Sequence, residues 1–363
     1  MEQGELCRDL LQGLISSEFT FGTRLLTEPE LAQKLQVSRM KIHRALDVLR
    51  RKQLIYSRPG AGTFLLDAPP FFKLKQLRAF YLKKTALLYA DPPDNIHWSL
   101  QTVYELKSRL EKYGFQTGLF PFSIGKRKRN TNLAEVISKI PEEEFGSVVL
   151  MHNYTLQLTD KAPLLRSKPF RYFLLNYAGT SHPLPLPGAH QVVYDHYGDG
   201  FILGDILGRA GCRHIIMIGS RSFMQWSADR CNGVQDALHL SFPTLEIPCL
   251  PSEARSVGVV RNFIRRNGPD TVVICANCDF AMGTTAILAR EKFVCGKDYK
   301  LIAFADNPLY QDQKLTAMAL PSHQAALQLA ELVRKTQGNP DAPGHLSVSL
   351  NSELKLRNSF RLA

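Results

Sequence analysis

Residues 21–66, FGTRLLTEPELAQKLQVSRMKIHRALDVLRRKQLIYSRPGAGTFLL, decide how this chain is read. Thr27 stands three residues before Glu30, the spacing of a helix-opening capping box. Pro29 falls in the first turn, where its missing N–H costs little. Leu31 and Leu35 share one face of the short helix that follows. Gln36-Val37 makes a tight turn, and Ser38 caps a second helix whose apolar side is Ile42, Ala45, Leu46 and Leu49. Its other side carries Arg39, Lys41, His43 and Arg44, with Arg50, Arg51 and Lys52 at its end. Leu54-Ile55-Tyr56 and Thr63-Phe64-Leu65-Leu66 flank Pro59-Gly60-Ala61-Gly62, a hairpin with a glycine tip. Positioning helix, basic helix and hairpin wing together make a winged helix-turn-helix.

A recognition helix needs donors near its N-terminus to reach base edges and cations to neutralise phosphates. Glycines in a wing let backbone approach a groove without a side-chain clash. The candidate DNA-contacting residues are therefore Thr27, Ser38, Arg39, Met40, Lys41, His43 and Arg44, with Arg58, Gly60 and Gly62 of the wing. The bland alternative is a solvated basic helix.

The stretch resembles the N-terminal head of the GntR family of bacterial transcription factors. Leu26-Thr27-Glu28-Pro29-Glu30-Leu31-Ala32, Val37-Ser38-Arg39, Ala45-Leu46 and Gly60-x-Gly62-Thr63-Phe64 carry the resemblance, which spans nearly all of residues 4–66. Pro29, Met40-Lys41 and His43 depart from the family pattern, so the family's usual operator is not implied.

The rest of the chain is the expected regulator of this head. Its 363 residues suggest more than one domain, and 44% hydrophobic residues is ordinary for a globular protein. A net charge of +12 favours a polyanionic partner. No apolar run approaches the roughly 20 residues of a membrane span, and no membrane partner is expected. The N-terminus is acidic and amphipathic, a poor signal peptide and a good first helix, with Leu6, Leu10, Leu14 and Ile15 on one stripe. Seven cysteines, an odd number without secretory context, point to a reducing cytoplasm. Residues 1–67 form the expected DNA-binding domain, 68–82 a linker opened by Pro69-Pro70, and 83–363 a ligand-binding and dimerisation domain. The linker piece reads either as a connector or as a first strand on the body, with Phe71, Phe72 and Tyr81 docking head on body.

From Thr85 onward short apolar strands alternate with amphipathic helices, and the rhythm restarts after His190-Gln191-Val192-Val193. Two such runs predict two parallel α/β lobes with a cleft between them. Ligands in this architecture bind outside the carboxyl ends of strands. The fold class is thus α/β, a winged helix-turn-helix followed by a two-lobed parallel body.

The second half resembles the effector domain of the lactose/galactose-repressor family, which is similar to periplasmic sugar-binding proteins. Val193-x-Asp195, Ala210-Gly211-x-Arg213-His214-Ile215, Asp229-Arg230-x-x-Gly233, Ala276-Asn277-x-x-x-Ala281-x-Gly283, Ile302-x-Phe304-x-Asp306, Leu315-Thr316 and Arg357-Asn358-Ser359 carry it across about residues 190–360. With the head, the architecture is arabinose-repressor-like. The resemblance implies a small polar effector, a sugar, held between the lobes without a cofactor. Arg230 would donate a fork to adjacent hydroxyls, Asp306 would accept from them, and Asn277 would do both. Asn176 ends a strand where the family places another polar ligand residue, and Trp98 opens the helix where it places an aromatic. Trp226, four residues before Arg230, is the second aromatic candidate. The alternatives are an interlobe ion pair for Arg230 and Asp306, a helix cap for Asn277, and core positions for the two tryptophans. Cys278 and Leu320 depart from the family's polar preferences.

Cys275-x-x-Cys278 has redox or zinc spacing, but a single such pair at a strand end reads as two buried thiols. Lys126-Arg127-Lys128-Arg129 reads as a solvated loop, and Glu142-Glu143-Glu144 as a helix-flanking surface. No phosphate loop, metalloprotease motif or nucleophile elbow is present, and no enzyme activity is expected. The expected function is that of a ligand-controlled transcriptional regulator, a repressor acting as a homodimer on operator DNA. A solute-binding protein or an enzyme with a regulatory head is the alternative.

Overall fold

The computed structural model describes residues 3–21, 23–66, 70–91, 97–123, 132–151, 155–177, 186, 188–219, 225–239, 244–245, 254–306, 314–339 and 344–361. The head opens with α1 (Gln3–Ile15), which buries Leu6, Leu10, Leu11 and Leu14. Two short strands follow, β1 (Thr20–Phe21) and β2 (Arg24–Leu25), then α2 (Glu28–Lys34), α3 (Arg39–Arg51), β3 (Ile55–Arg58) and β4 (Gly62–Leu65). The Glu30 carboxylate accepts from the Thr27 N–H at 2.7 Å, and Ser38 Oγ accepts from the Lys41 N–H at 3.4 Å. Both helix starts are therefore capped as the spacing predicts. Gln36 takes the left-handed conformation (φ 51°) that turns α2 into α3. Ile42, Ala45, Leu46 and Leu49 point into a single head core with Leu31 and the α1 leucines. The head sheet is antiparallel, in the order β1-β2-β4-β3.

Residues 68–82 differ from the expected linker or strand. Residues 70–81 form a helix, α4 (Pro70–Tyr81), that packs on α1. Leu74 and Leu77 are buried in the head core. Pro70 sits at the first helical position, where proline is favoured, so it opens a helix here.

Lobe 1 begins with β5 (Lys84–Asp91), α5 (His97–Lys112), β6 (Gln116–Ser123), α6 (Leu133–Lys139), β7 (Ser147–Leu150), α7 (Thr155–Ser167), β8 (Arg171–Asn176) and β9 (His190–Tyr194). Lobe 2 comprises α8 (His196–Arg209), β10 (His214–Ile218), α9 (Gln225–Leu238), β11 (Thr244–Leu245), α10 (Ala254–Asn267), β12 (Thr271–Cys275), α11 (Cys278–Arg290), β13 (Lys300–Phe304) and β14 (Thr316–Ala319). The chain then returns with α12 (Ser322–Thr336) and β15 (Ser347–Leu350) and ends in β16 (Glu353–Lys355). The lobe 1 sheet is wholly parallel, in the order β15-β9-β8-β7-β5-β6. The lobe 2 sheet runs β11-β10-β12-β13-β14-β16, with only β16 antiparallel. The strands are apolar on both faces because helices cover both, which gives each lobe two core layers.

The sequence rhythm anticipated most of these elements but not where the last ones go. α12 does not continue lobe 2. It packs against α5, β8 and β9 with Ala325, Ala326, Leu329 and Val333 in the lobe 1 core. β15 joins lobe 1 and β16 joins lobe 2, and neither was foreseen, because strands of four and three residues carry too little pattern. Among the described residues the chain therefore crosses between the lobes after β9, after β14 and after β15. Asp199 of α8 ties the first crossing to the third, its buried carboxylate accepting from the Ser352 N–H and hydroxyl at 2.5 Å each.

If α4 belongs to the head core, Leu74→Ala should destabilise the head by about 2–5 kcal/mol, the cost of truncating a buried leucine. Thermal unfolding of the full chain followed by circular dichroism checks this, and a melting temperature equal to wild type would contradict it.

Candidate DNA-binding face and interlobe site

The outward face of α3 is a row of exposed side chains: Arg39, Met40, Lys41, His43 and Arg44, with Thr27 and Ser38 exposed at the helix starts. Met40 is 62% exposed, an apolar side chain with no part in the core. Glu28, at the first turn of α2, organises this face. Its carboxylate lies 3.4 Å from Arg39 Nε, 2.9 Å from His43 Nδ1 and 3.8 Å from an Arg50 guanidinium nitrogen. Burial alone would raise its pKa, but hydrogen bonds and charge from His43 and Arg39 more than offset this and hold it low.

The wing stacks Tyr56 on Phe64 with centroids 5.6 Å apart, and the Arg58 guanidinium lies over both rings. Arg50 Nε donates to Ser57 Oγ at 3.3 Å, and Ser57 meets the Thr63 hydroxyl at 3.0 Å, so recognition helix and wing are joined. Gly60 (φ 73°) and Gly62 (φ 115°) take conformations that L side chains resist. A side chain at Gly62 would also press on Arg24, since an added Cβ would sit 3.1 Å from its Nε. The head residues singled out from the sequence lie on the exposed side of α3, at the helix starts and on the wing, and Glu28 and Arg50 link α2, α3 and the wing to one another. Glu28 was legible in principle: an acid in the first turn of one helix, facing a basic helix across a tight turn.

In the body, the described residues bring together a different set from the one expected. Arg230 on α9 is fully buried. Its guanidinium lies between the rings of Trp226 (4.8 Å) and Phe304 (4.9 Å), and one terminal nitrogen donates to the Ala276 carbonyl at 2.8 Å. Its Nε and other terminal nitrogen find no hydrogen-bond partner among the described residues. His196, 1% exposed, places Nε2 2.7 Å from the Tyr177 carbonyl. That contact assigns the proton to Nε2 and leaves Nδ1 a lone pair, which has no partner either. Burial, followed by the Arg230 charge, pushes its pKa well down and keeps the ring neutral. The Tyr194 hydroxyl is buried and, among the described residues, has no partner. Tyr177 packs its ring on Tyr194 (5.6 Å), His196 (5.2 Å) and Trp226 (6.3 Å), closing the group into one aromatic cage. The cage stands where β8 and β9 end and α8 begins, at the first crossing between lobes.

The other expected ligand residues sit nearby but are occupied. Asp306 does not pair with Arg230. Its carboxylate takes both ends of the Arg357 fork, at 2.9 and 2.6 Å, with Lys355 Nζ 3.8 Å away. The interlobe ion pair weighed as an alternative is therefore absent. Asn277 caps α11, its Oδ1 accepting from the Phe280 N–H at 2.8 Å. Asn176, buried at the end of β8, donates to Gln191 Oε1 at 3.3 Å. The side chain of Trp98 and the run Lys126–Arg129 lie outside the described residues. Cys275 and Cys278 are buried free thiols; burial pushes the Cys275 thiol up, and the Cys278 thiol donates to the Ala305 carbonyl. Among the described residues no cluster could hold a metal ion. Tyr177, Tyr194 and His196 escaped the sequence reading, although Tyr194 and His196 flank the Asp195 that the reading used.

Comparison with known proteins matches these two parts to two families. Residues 3–65 match the bacterial regulatory proteins of the gntR family, and residues 205–360 match the periplasmic binding protein-like domain. The arabinose metabolism transcriptional repressor of Geobacillus stearothermophilus is 23% identical over 98% of this chain and 97% of its own length. Among solved structures, a LacI-family regulatory protein from Chloroflexus aggregans has a TM-score of 0.61 at 17% identity, covering 77% of this chain and 98% of its own. A LacI-family regulator from Enterococcus faecium with bound ribose has a TM-score of 0.58 at 18% identity, covering 77% and 99%. A protein from Alkaliphilus metalliredigens complexed with D-xylulofuranose has a TM-score of 0.56 at 14% identity, covering 76% and 98%.

The Arg357 fork gives Asp306 a structural task, because it pins the C-terminal segment to the end of β13. Asp306→Asn should cost the body about 1.5–3 kcal/mol, the worth of a hydrogen bond to a charged group. Urea unfolding read by intrinsic fluorescence measures it, and an unchanged midpoint would show the pair to be idle.

Proposed function

We propose that this chain, a gntR-type head on a periplasmic-binding-protein-like body, is a transcriptional repressor whose operator affinity is set by a small sugar held between the lobes. One observation carries the ligand half of the reading: a fully buried guanidinium, beside an aromatic cage, two of whose nitrogens find no partner among the described residues. Buried polar groups in native proteins are almost always hydrogen-bonded, and a guanidinium cannot shed its charge. A polyol supplies what is missing. A hydroxyl oxygen accepts from Arg230, its proton is available to the lone pair of His196 Nδ1, and the Trp226 ring offers a flat face to C–H surface. The Tyr194 hydroxyl adds a further donor or acceptor. The repressor named above acts in arabinose metabolism, and the solved relatives hold ribose and D-xylulofuranose, so pentoses are the first probes.

The DNA half rests on the exposed row on α3. Arg39 and Lys41, at the N-terminal end of a helix that presents its opposite face to the core, reach base edges and phosphates in a major groove. Met40 is suited to apolar contact with a thymine methyl. Arg44, His43 and Thr27 contact the backbone, and Arg58 with the glycines of the wing enters the adjoining groove. One head offers few base contacts. A cytoplasmic homodimer on a near-palindromic operator supplies the affinity that a single head lacks.

Titration of the chain onto the DNA upstream of its own coding sequence, with and without L-arabinose, ribose or xylulose, tests the reading. Arg39→Ala should weaken operator binding by about 1–3 kcal/mol. Arg230→Ala should leave sugar-free operator binding intact and abolish the sugar response. Full response in Arg230→Ala would remove the cage from the account, and unchanged DNA affinity in Arg39→Ala would remove the recognition helix.

A further inference from the structure

We propose that Gln337 is the residue that couples the body to the head, acting as a hydrogen-bonded joint between the end of α12 and the end of α4. The inference rests on the ligand-controlled reading above and adds to it the route by which the body reaches the DNA-binding face.

α12 starts one residue after Leu320-Pro321, the crossing by which the chain leaves lobe 2. Its 15 residues span roughly 22 Å at the rise of an α-helix, so it reaches from the interlobe hinge to the far edge of lobe 1. It is a stiff element. Ala325, Ala326, Leu329, Ala330 and Val333 are buried along one side, and α5 braces it through Glu105 with His323 and Tyr113 with Glu331.

At the far end Gln337 follows as the C-cap, 8% exposed. Its side-chain amide donates to the Ala79 carbonyl at 2.8 Å and to the Leu82 carbonyl at 3.0 Å. These carbonyls lie at and just past the C-terminal end of α4, where i−4 partners run out; the Ala79 carbonyl also accepts from the Leu82 N–H at 3.2 Å. The orientation of the amide is forced, because the flipped form would set its oxygen against both carbonyls. Gly146 makes the room: an added Cβ would collide with the Ala79 carbonyl and stand 2.6 Å from both Gln337 Nε2 and the Leu82 carbonyl. Arg171 closes the joint from the other side, donating to the Thr336 carbonyl at 3.0 Å with its guanidinium over the Phe80 ring at 4.9 Å.

From α4 the path enters the head. Leu74 and Leu77 lie in the head core, and the 6%-exposed Arg78 donates to Gln12 Oε1 of α1 at 2.5 Å and to the Glu142 carbonyl of lobe 1 at 3.0 Å. The joint is thus polar and directional where apolar packing alone would hold two elements together. Hydrogen bonds weaken steeply once geometry departs by several tenths of an ångström, whereas apolar contacts tolerate a slide. A shift of α12 on lobe closure is therefore delivered to α4 instead of being absorbed at the interface.

The test uses the full chain and Gln337→Leu, which removes the donor, together with Gly146→Ala, which disturbs the same carbonyls from the opposite side. L-Arabinose binding is followed by tryptophan fluorescence and operator binding by gel shift. Both variants should keep sugar affinity and sugar-free operator affinity within about threefold of wild type. The sugar-induced change in operator affinity, in the range of about 5–150-fold for an ordinary allosteric coupling, should fall below about threefold. Undiminished change in either folded variant would overturn the joint. Amide hydrogen exchange without sugar judges it independently: residues 78–82 should lose protection in Gln337→Leu, and unaltered protection would also overturn it. If the wild-type chain responds to no pentose, the ligand reading fails, while the exchange experiment still decides the joint.

Discussion

A fully buried guanidinium with donors to spare is the constraint around which the body is arranged, and the buried Asp199 carboxylate is near enough to feel its charge. Burying a charge is costly unless it is paired and hydrogen-bonded. Three things around Arg230 lower that cost. Two aromatic faces supply cation–π attraction, and one carbonyl takes one donor group. The neutral state of His196 avoids a second positive charge, and that state follows from its own burial and from Arg230 beside it. What remains, among the described residues, is donor capacity without acceptors. A molecule that brings acceptors completes the site, and completing it involves groups on both sides of the first crossing: Tyr177 and Tyr194 at the ends of lobe 1 strands, and His196, Trp226 and Arg230 on lobe 2 helices. The site can therefore discriminate between arrangements of the lobes, and a ligand shifts a conformational equilibrium only through such a difference in affinity.

The head obeys a parallel logic. Its cations are not a uniform positive surface, because Glu28 draws Arg39, His43 and Arg50 toward one carboxylate. Exposed ion pairs of this kind contribute little stability. Their consequence is orientation, since long side chains held near one anion sample fewer rotamers before they meet a phosphate. The same helix is tied to the wing through Arg50 and Ser57. α4 lies between this unit and lobe 1, sharing leucines with the first and hydrogen bonds with the second.

Much of this was legible in the sequence, for physical reasons that also explain what was not. Thr27, Glu30, Ser38 and the glycines of the wing act locally, so spacing alone revealed them. The helical and strand periods of the body are long-range only in their pairing, and the rhythm of β5 to β14 was readable for that reason. α4 was hidden because Pro69-Pro70 looked like a stop, yet proline also begins helices, and only the buried places of Leu74 and Leu77 decide between the two. The return of α12 to lobe 1 was invisible, because an amphipathic helix does not say which sheet it will cover. In the site, the resemblance pointed to Arg230 and to the neighbourhood of Trp226. It did not reveal that Arg357, 51 residues on, occupies Asp306, whereas the helix cap made by Asn277, with its partner 3 residues away, was local enough to be weighed as an alternative. Tyr194 and His196 belong to no motif of the sequence, and only their polar atoms, orphaned among the described residues, draw attention to them.

The central claim is that one sugar site and one DNA-binding face are two ends of a single equilibrium. Linkage makes such coupling reciprocal: whatever factor the sugar imposes on operator affinity, the operator must impose on sugar affinity. Calorimetric titration of L-arabinose into the full chain, first alone and then saturated with operator DNA, measures this directly. The account predicts sugar affinities that differ between the two titrations by the same factor, in the range of about 5–150-fold, that separates operator affinities with and without sugar. Equal sugar affinity in the presence and absence of operator would contradict it.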